Sequence, residues 1–286
     1  MSILTSAVFI AAVASAFLHA SWNVLAKLHS APRDLLRGIV FATASLCCIL
    51  LPFVGLPPPN AWPWVAAASA CNVVFTQAML SAYARTDFGI AYVVVRAVIP
   101  PILFLIGWMF MNEARGMYAV QGLALVVLSL LLFGFSRPTM RGQGSGGLLL
   151  AMSAGGAMAF ALLFDVNGIR VCGGGLRCLV PCAVASSLVT ACGLGLVSRL
   201  ERTNPFAVLI SHAKLCYAGA TLLLSSYLCG MWAYVHGPIG LVAPLRESGI
   251  VFGGALAVLV LGEPVSRLQW TALGLATIGV VLVQVG

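Results

Sequence analysis

Apolar residues run along this chain in ten long blocks separated by short polar breaks. The blocks cover roughly residues 3–26, 35–54, 61–84, 88–111, 117–135, 148–169, 178–197, 215–235, 240–261 and 268–285. About 20 apolar residues in a helix cross the hydrocarbon core of a bilayer, so each block predicts one transmembrane helix. The breaks read HSAPRD, GLPPPN, ARTDFG, NEARG, SRPTMRGQGSGG, VCGGGLR, SRLERTNP, HGP and GEPVSR, and hold the Gly, Pro and charged residues of turns. They are short, so successive helices should be antiparallel neighbours. An even number of spans puts both ends of the chain on one side. The first block has no Lys or Arg ahead of it and continues through Asn23–Ala26, which fits a retained first helix better than a cleaved leader.

Composition agrees with a membrane location. Of 286 residues, 61% are hydrophobic and 8% charged, with a mean hydropathy of +1.06. A soluble domain carries roughly 25% charged residues, and this chain has too few to cover a water-facing surface. It is expected to be an all-α integral membrane protein with the lipid bilayer as its first partner. The net charge of +8 is not a nucleic-acid signature, because the basic residues lie mostly at the ends of apolar runs instead of clustering on a polar face. The loops after odd-numbered spans hold Lys27, Arg33, Arg37, Arg85, Arg137, Arg141, Arg199, Arg202, Lys214 and Arg267; the other side holds Arg115, Arg170 and Arg177. The positive-inside bias places the richer side in the cytoplasm and both termini outside. The nine cysteines (47, 48, 71, 172, 178, 182, 192, 216 and 229) sit almost entirely in apolar runs and make no CxxC, so they read as small buried residues, with no metal site expected.

The halves of the chain repeat. Tyr83–Glu113 reads YARTDFGIAYVVVRAVIPPILFLIGWMFMNE and Tyr234–Glu263 reads YVHGPIGLVAPLRESGIVFGGALAVLVLGE. Arg96 precedes Glu113 by 17 residues, and Arg246 precedes Glu263 by 17. Downstream, QGLALVVLSLLLFG parallels LGLATIGVVLVQVG. Residues 1–140 and 141–286 therefore read as two five-helix copies joined by the linker RGQGSGG. Five is odd, so the second copy enters the membrane from the opposite side, and the copies are inverted. Inverted repeats suit alternating access, since exchanging the conformations of the halves exchanges an inward for an outward opening. A duplication kept only for its fold would leave the same pattern.

These blocks, with HASWNVLAK near the N-terminus and APLRESGIVFGGALAVLVLGEPVSRLQWTALGLATIGVVLV near the C-terminus, resemble the EamA-type transporters of the drug/metabolite transporter superfamily over essentially the whole chain. The resemblance implies ten transmembrane helices as two inverted EamA repeats. It also implies a central cavity lined by helices 1–4 and 6–9, helices 5 and 10 at the periphery, and movement of small metabolites without ATP.

Two cations stand inside apolar spans of the repeat. Burying a charge in lipid costs at least about 2.5–3.5 kcal/mol on insertion scales, so Arg96 and Arg246 should turn to a cavity, a partner or the interface. Prolines accompany both: Pro100 cannot donate to the Arg96 carbonyl, Pro101 to that of Ala97, or Pro244 to that of Gly240. Helices 4 and 9 are expected to bend around a wet centre. The arginines either bind an anionic group of a substrate or form structural ion pairs. Glu247 should pair across helices or carry a proton. Asp165 is the other acid within a span, a proton carrier or a partner of Arg170. Glu113 and Glu263 end their helices and read as structural caps. Further candidate lining residues are His19, Trp22 and Asn23 on the first span, Asn72 and Gln77 with Thr76 on the third, Tyr92 on the fourth, and Tyr227 and Trp232 on the eighth. Gly249-x-x-x-Gly253 suggests close helix packing. GQGSGG matches GxGxxG only formally, since no strand precedes it. No Walker A, HExxH or GxSxG motif is present, so no ATP, no cofactor and no catalytic residue is expected.

The expectation is a secondary or facilitative transporter of small polar metabolites, amino acids or related organic anions, in a bacterial-type inner membrane. Protons are a candidate coupling ion, and the protein should be a monomer or a weak homodimer. A phosphonate-type permease and a flippase for a lipid-linked sugar are alternatives. A non-transporting scaffold or sensor subunit is the alternative of another class, and would have both arginines locked in ion pairs and no central cavity.

Overall fold

The computed structural model describes residues 3–27, 32–85, 88–110, 116–135, 145–201, 206–261 and 266–285, and within them it is all-helical. The helices are α1 (Ile3–Lys27), α2 (Pro32–Val54), α3 (Trp62–Arg85), α4 (Phe88–Phe110), α5 (Met117–Phe135), α6 (Ser145–Val171), α7 (Leu176–Leu200), α8 (Ala207–Ser211), α9 (Ala213–His236), α10 (Ile239–Arg246), α11 (Gly249–Leu261) and α12 (Arg267–Val285). A 3-10 turn, Pro59–Ala61, leads into α3. Among the described residues, six helices are long and apolar enough to cross a membrane: those over Ser6–Leu25, Leu35–Val54, Pro59–Arg85, Gly146–Val171, Leu176–Leu200 and Ala213–His236. Shorter apolar helices cover Val94–Phe110, Met117–Leu132 and Arg267–Val283.

The breaks are made where the turn residues stand. Gly55, at φ +75°, follows α2 and its N–H still reaches the Leu51 carbonyl at 2.9 Å. Gly173 and Gly174, at φ +103° and +72°, close α6 by donating to the Arg170 and Ile169 carbonyls. These left-handed conformations cost a side-chain-bearing residue about 1–2 kcal/mol, which is why glycine ends the helices there. Arg170 completes the turn from the other side. It donates to the carbonyls of Tyr234 (2.7 Å), Gly237 (3.2 Å) and Val235 (3.4 Å), covering the end of α9 with a cation where the helix dipole is negative.

The outer surface is apolar. Phe53 is 83% exposed, Leu259 81% and Phe110 77%; a water-soluble monomer rarely shows such side chains in number. The interior is small-residue packing: Ala12, Ala16, Ala42, Ala68, Ala82, Ala91, Ala151, Ala154 and Ala159 are fully buried. Small residues let helix backbones approach where lipid provides no hydrophobic drive for association. Gly249 follows this rule, since a Cβ there would meet the Ala16 carbonyl of α1 at 3.2 Å; Gly253 faces open space. Gly122 of α5 and Gly279 of α12 approach each other's carbonyls so closely that a Cβ on either would clash, at 2.6 and 2.8 Å.

The helices pack as a set of matched pairs. α3 lies along α6 and α1 lies along α9; α4 packs on α6, and α1 packs on α10 and α11. α3 also meets α7, and α2 meets α9. α2 packs on α7, and α5 packs on α12. One apolar core, running from Val8 and Ala12 through Val95, Leu103, Leu162 and Met231 to Leu245, spans both halves of the chain.

Two elements depart from the expected spans. The short helix α8 stands between α7 and α9. The ninth span is two helices, α10 and α11, with Glu247 and Ser248 between them. The break comes three residues after Pro244, where the Glu247 and Ser248 N–H groups turn back to the carbonyls of Pro244 and Leu245, at 3.0 and 3.1 Å. These are i to i−3 bonds, tighter than an α-helix makes. α4, by contrast, stays helical through Pro100 and Pro101. The linker's first residues, Arg141 to Gly144, Glu113 and Glu263 lie outside the described residues, as does the side chain of Tyr92.

Candidate functional site: a cavity between the two halves

A cavity of about 220 Å3 opens between α1, α2, α3 and α4 on one side and α6, α7 and α9 on the other. Among the described residues, none of α5 or α12 lines its wall. Apolar side chains such as Val40, Phe75, Met79, Ile99 and Leu223 make most of the lining, and Arg96, Asp165, His19, Asn72 and Tyr227 are set among them. A few placed polar groups in an apolar concavity are the usual composition of a small-molecule site. The volume lies below the roughly 300–1,000 Å3 of drug-sized pockets.

The polar groups are fixed by three different devices. The first is an ion pair between the halves. Arg96 Nε, on α4, donates to Glu247 Oε2 at 2.7 Å. The two side chains are only 12% and 6% exposed. The break between α10 and α11 places Glu247 where it can reach α4. Helical backbone on both sides of a cavity leaves few exposed carbonyls, and non-helical backbone at this depth is tolerated only against protein or water.

The second device holds Arg246. Its Nε donates to Ser15 Oγ of α1 at 3.1 Å, and its guanidinium carbon stands 5.4 Å from the centroid of the Tyr234 ring. Ser15 and Ser226 exchange hydrogen bonds between α1 and α9: Ser15 Oγ donates to the Ser226 carbonyl at 2.7 Å and Ser226 Oγ to the Ser15 carbonyl at 2.8 Å. Gly230 makes room, since a Cβ there would meet Ser15 Oγ at 2.8 Å and the Arg246 guanidinium at 3.0 Å. Arg246 is therefore part of the α1–α9 junction and does not line the cavity.

The third device is local. On α1, Trp22 Nε1 donates to His19 Nδ1 at 3.3 Å with the rings edge to face, 5.2 Å between centroids. Asn23 Nδ2 turns back to the His19 carbonyl at 2.7 Å. Thr76 and Thr43 likewise spend their hydroxyl protons on carbonyls of their own helices, Asn72 and Ile39, both at 2.8 Å. Among the described residues, the buried hydroxyls without a hydrogen-bond partner are those of Thr190, Tyr227 and Ser248. Thr190 and Tyr227 line the cavity.

Asp165 on α6 is different from the other charges. It is 4% exposed and lines the cavity. The expected partner, Arg170, is engaged at the end of α9, and no cation pairs with Asp165 among the described residues. Ser186 of α7 and Tyr227 of α9 stand beside its carboxyl.

Of the candidate residues, His19, Trp22, Asn72, Arg96, Asp165 and Tyr227 come together around the cavity. Asn23, Gln77, Trp232 and Arg246 do not line it; Trp232 instead stacks on His236 at 4.5 Å. Ser186, Ser187 and Thr190 of α7 and Thr43 of α2 line it without having been expected there. Their signal in the sequence is a cluster of hydroxyls at helical spacing inside an apolar block, in α7 at i and i+4.

No protein-family model and no protein of curated function matches this chain. Solved structures do: 29 chains match. One, a crystal structure, has a TM-score of 0.74 and 15% identity, and the match covers 97% of this chain and 95% of that one. At such identity the likeness shows the fold alone. Among its described residues the protein is thus all-helical, with several membrane-length apolar helices and a mostly apolar cavity into which a few polar and charged side chains are set.

Proposed function

We propose that this protein is a secondary or facilitative transporter of small polar metabolites, with amino acids and related organic molecules first among them, in a membrane of the bacterial inner-membrane kind. The observation that carries the proposal is the cavity between the halves, with charged and hydroxylic groups held inside apolar helices. A scaffold or sensor subunit has no use for such a space, and the charged groups set into its apolar lining cost stability in a bilayer.

The reading includes ten transmembrane helices in two inverted repeats of the EamA kind, with α10 and α11 as one broken span. The packing supports it. Matching α1 to α6, α2 to α7, α3 to α9, α4 to α10 and α11, and α5 to α12 carries the most extensive contacts onto one another, while α8 has no counterpart. The pair α3–α6 becomes α9–α1, the pair α4–α6 becomes the packing of α10 and α11 on α1, and α2–α7 and α5–α12 map onto themselves. Such exchange is the property that alternating access uses. A broken helix at the repeat interface is a common feature of transporter sites.

Both guanidinium groups are occupied within the protein, Arg96 by Glu247 and Arg246 by Ser15 and the Tyr234 ring. This weighs against a phosphonate permease, which needs a free arginine fork. Of the two buried carboxylates among the described residues, Asp165 is the better seat for a coupling proton, since Glu247 is already paired.

The test is reconstitution. In proteoliposomes loaded with a panel of amino acids, amines and organic anions, the purified chain should exchange at least one of them faster than protein-free vesicles do. If none of the panel crosses in either direction, the transporter reading fails.

A further inference from the structure

The charges in the described apolar interior do not balance around the cavity. Arg96 is neutralised by Glu247 at 2.7 Å. Arg246 is outside the lining, held by Ser15 and Tyr234. That leaves Asp165, 4% exposed, with its carboxyl on the cavity and no cation paired to it among the described residues. A buried carboxylate is costly to keep ionised without a counter-charge.

The surroundings of Asp165 are built to receive a cation. The groups facing it are Ser186 and Cys182 of α7, Tyr227 of α9 and Cys71 of α3. None of these carries a positive charge. Across the same cavity stand Arg96 of α4, already paired, and His19 of α1, whose Nδ1 accepts from Trp22. The Tyr227 hydroxyl is buried and makes no hydrogen bond, although Asp165 is its neighbour. An ammonium group has three N–H donors and no acceptor. The carboxylate of Asp165 and the hydroxyl oxygens of Tyr227 and Ser186 offer three acceptors. Aromatic faces, which attract cations, line the same space at Trp22, Phe75 and Tyr227, and Met79 and Met158 beside them suit a hydrocarbon tail.

We propose that Asp165, with Tyr227 and Ser186, seats the ammonium group of the transported molecule, so that the cavity takes amines and amino acids and rejects molecules that carry only an anionic group. This deepens the transporter reading and rests on it for the word transported; the ammonium seat itself is a binding property.

The experiment is thermal unfolding of the detergent-purified full chain with matched probes. The probes are a series of primary amines from methylamine to phenylethylamine, the corresponding carboxylates from acetate to phenylpropionate, and the amino acids alanine, leucine and phenylalanine. Amines and amino acids of fitting size should raise the unfolding temperature in a saturable way, and the carboxylates should not. Asp165→Asn, which keeps the side-chain shape, should weaken amine binding at least about tenfold, the loss of roughly one charge-assisted hydrogen bond. Tyr227→Phe should weaken it by a smaller factor and supplies the test if Asp165→Asn does not fold. Carboxylates binding as well as amines, no amine binding at all, or amine affinity unchanged in both variants each overturns the proposal. Transport of a pure anion without amine binding would sink the ammonium seat and leave the transporter reading standing. Amine binding without transport of any panel compound would do the reverse.

Discussion

Glu247→Gln and Arg96→Ala should each destabilise the protein by about 3–5 kcal/mol, the cost of leaving one member of a buried ion pair without the other. The pair is short, 2.7 Å, and both side chains are nearly buried. The double variant Arg96→Ala/Glu247→Gln should be more stable than the sum of the two losses predicts, because neither charge is then left alone. Replacing both members of a buried pair is often close to neutral. Unfolding of the purified variants in mixed detergent micelles measures this, and the double-mutant cycle gives the coupling. Small and additive losses would mean that the contact between α4 and the α10–α11 break contributes little. The pair joins residues 151 apart in sequence, so its loss should also loosen the two halves against each other.

The second large effect concerns function. Ala161 of α6 is 1% exposed and its side chain forms part of the cavity wall. Ala161→Trp should put an indole into the space that substrate needs and reduce transport to the level of protein-free vesicles. Overpacking costs typically about 1–3 kcal/mol, so the variant should still fold and run as a single species on size exclusion. Transport at the parental rate by a well-folded Ala161→Trp would show that substrate takes another path.

Much of the fold is legible along the chain because a membrane imposes a simple rule on it. The first apolar run, 3–26, is α1 over Ile3–Lys27, and the run at 178–197 is α7 over Leu176–Leu200. Length and hydropathy decide these elements, and turn glycines such as Gly55, Gly173 and Gly174 stand at the ends. The break in the ninth span was less legible. Pro244 announces a weak point, but the helix stops at Glu247, where tight turn bonds and the reach to Arg96 decide the geometry. Two prolines in α4 interrupt nothing. Proline alone therefore does not tell a bend from a break, and the tertiary partner does.

The site divides in the same way. Asp165, Arg96, Asn72, His19 and Tyr227 are visible in the sequence because a polar residue in a membrane span has few places to go. Which of them face the same space is not visible. Asn23 shares a helical face with His19, yet its amide is used on its own helix. Arg246 occupies the repeat position of Arg96 but is part of a helix junction. The two arginines, alike in their sequence spacing, are set apart by their neighbours, Glu247 for one and Ser15 with Gly230 for the other. The hydroxyls of α7 escape notice because Ser and Thr barely change a hydropathy profile.

The central claim is that water and solutes reach a space between the two halves that lipid does not. The most direct measurement is thiol accessibility at Ser187, a cavity-lining residue of α7, as Ser187→Cys in a background with the nine native cysteines replaced. In sealed vesicles a charged, membrane-impermeant maleimide should label this thiol, and a saturating transported metabolite should slow the labelling. A thiol that reacts only with a lipid-soluble maleimide, from neither face with the charged one, would contradict the account.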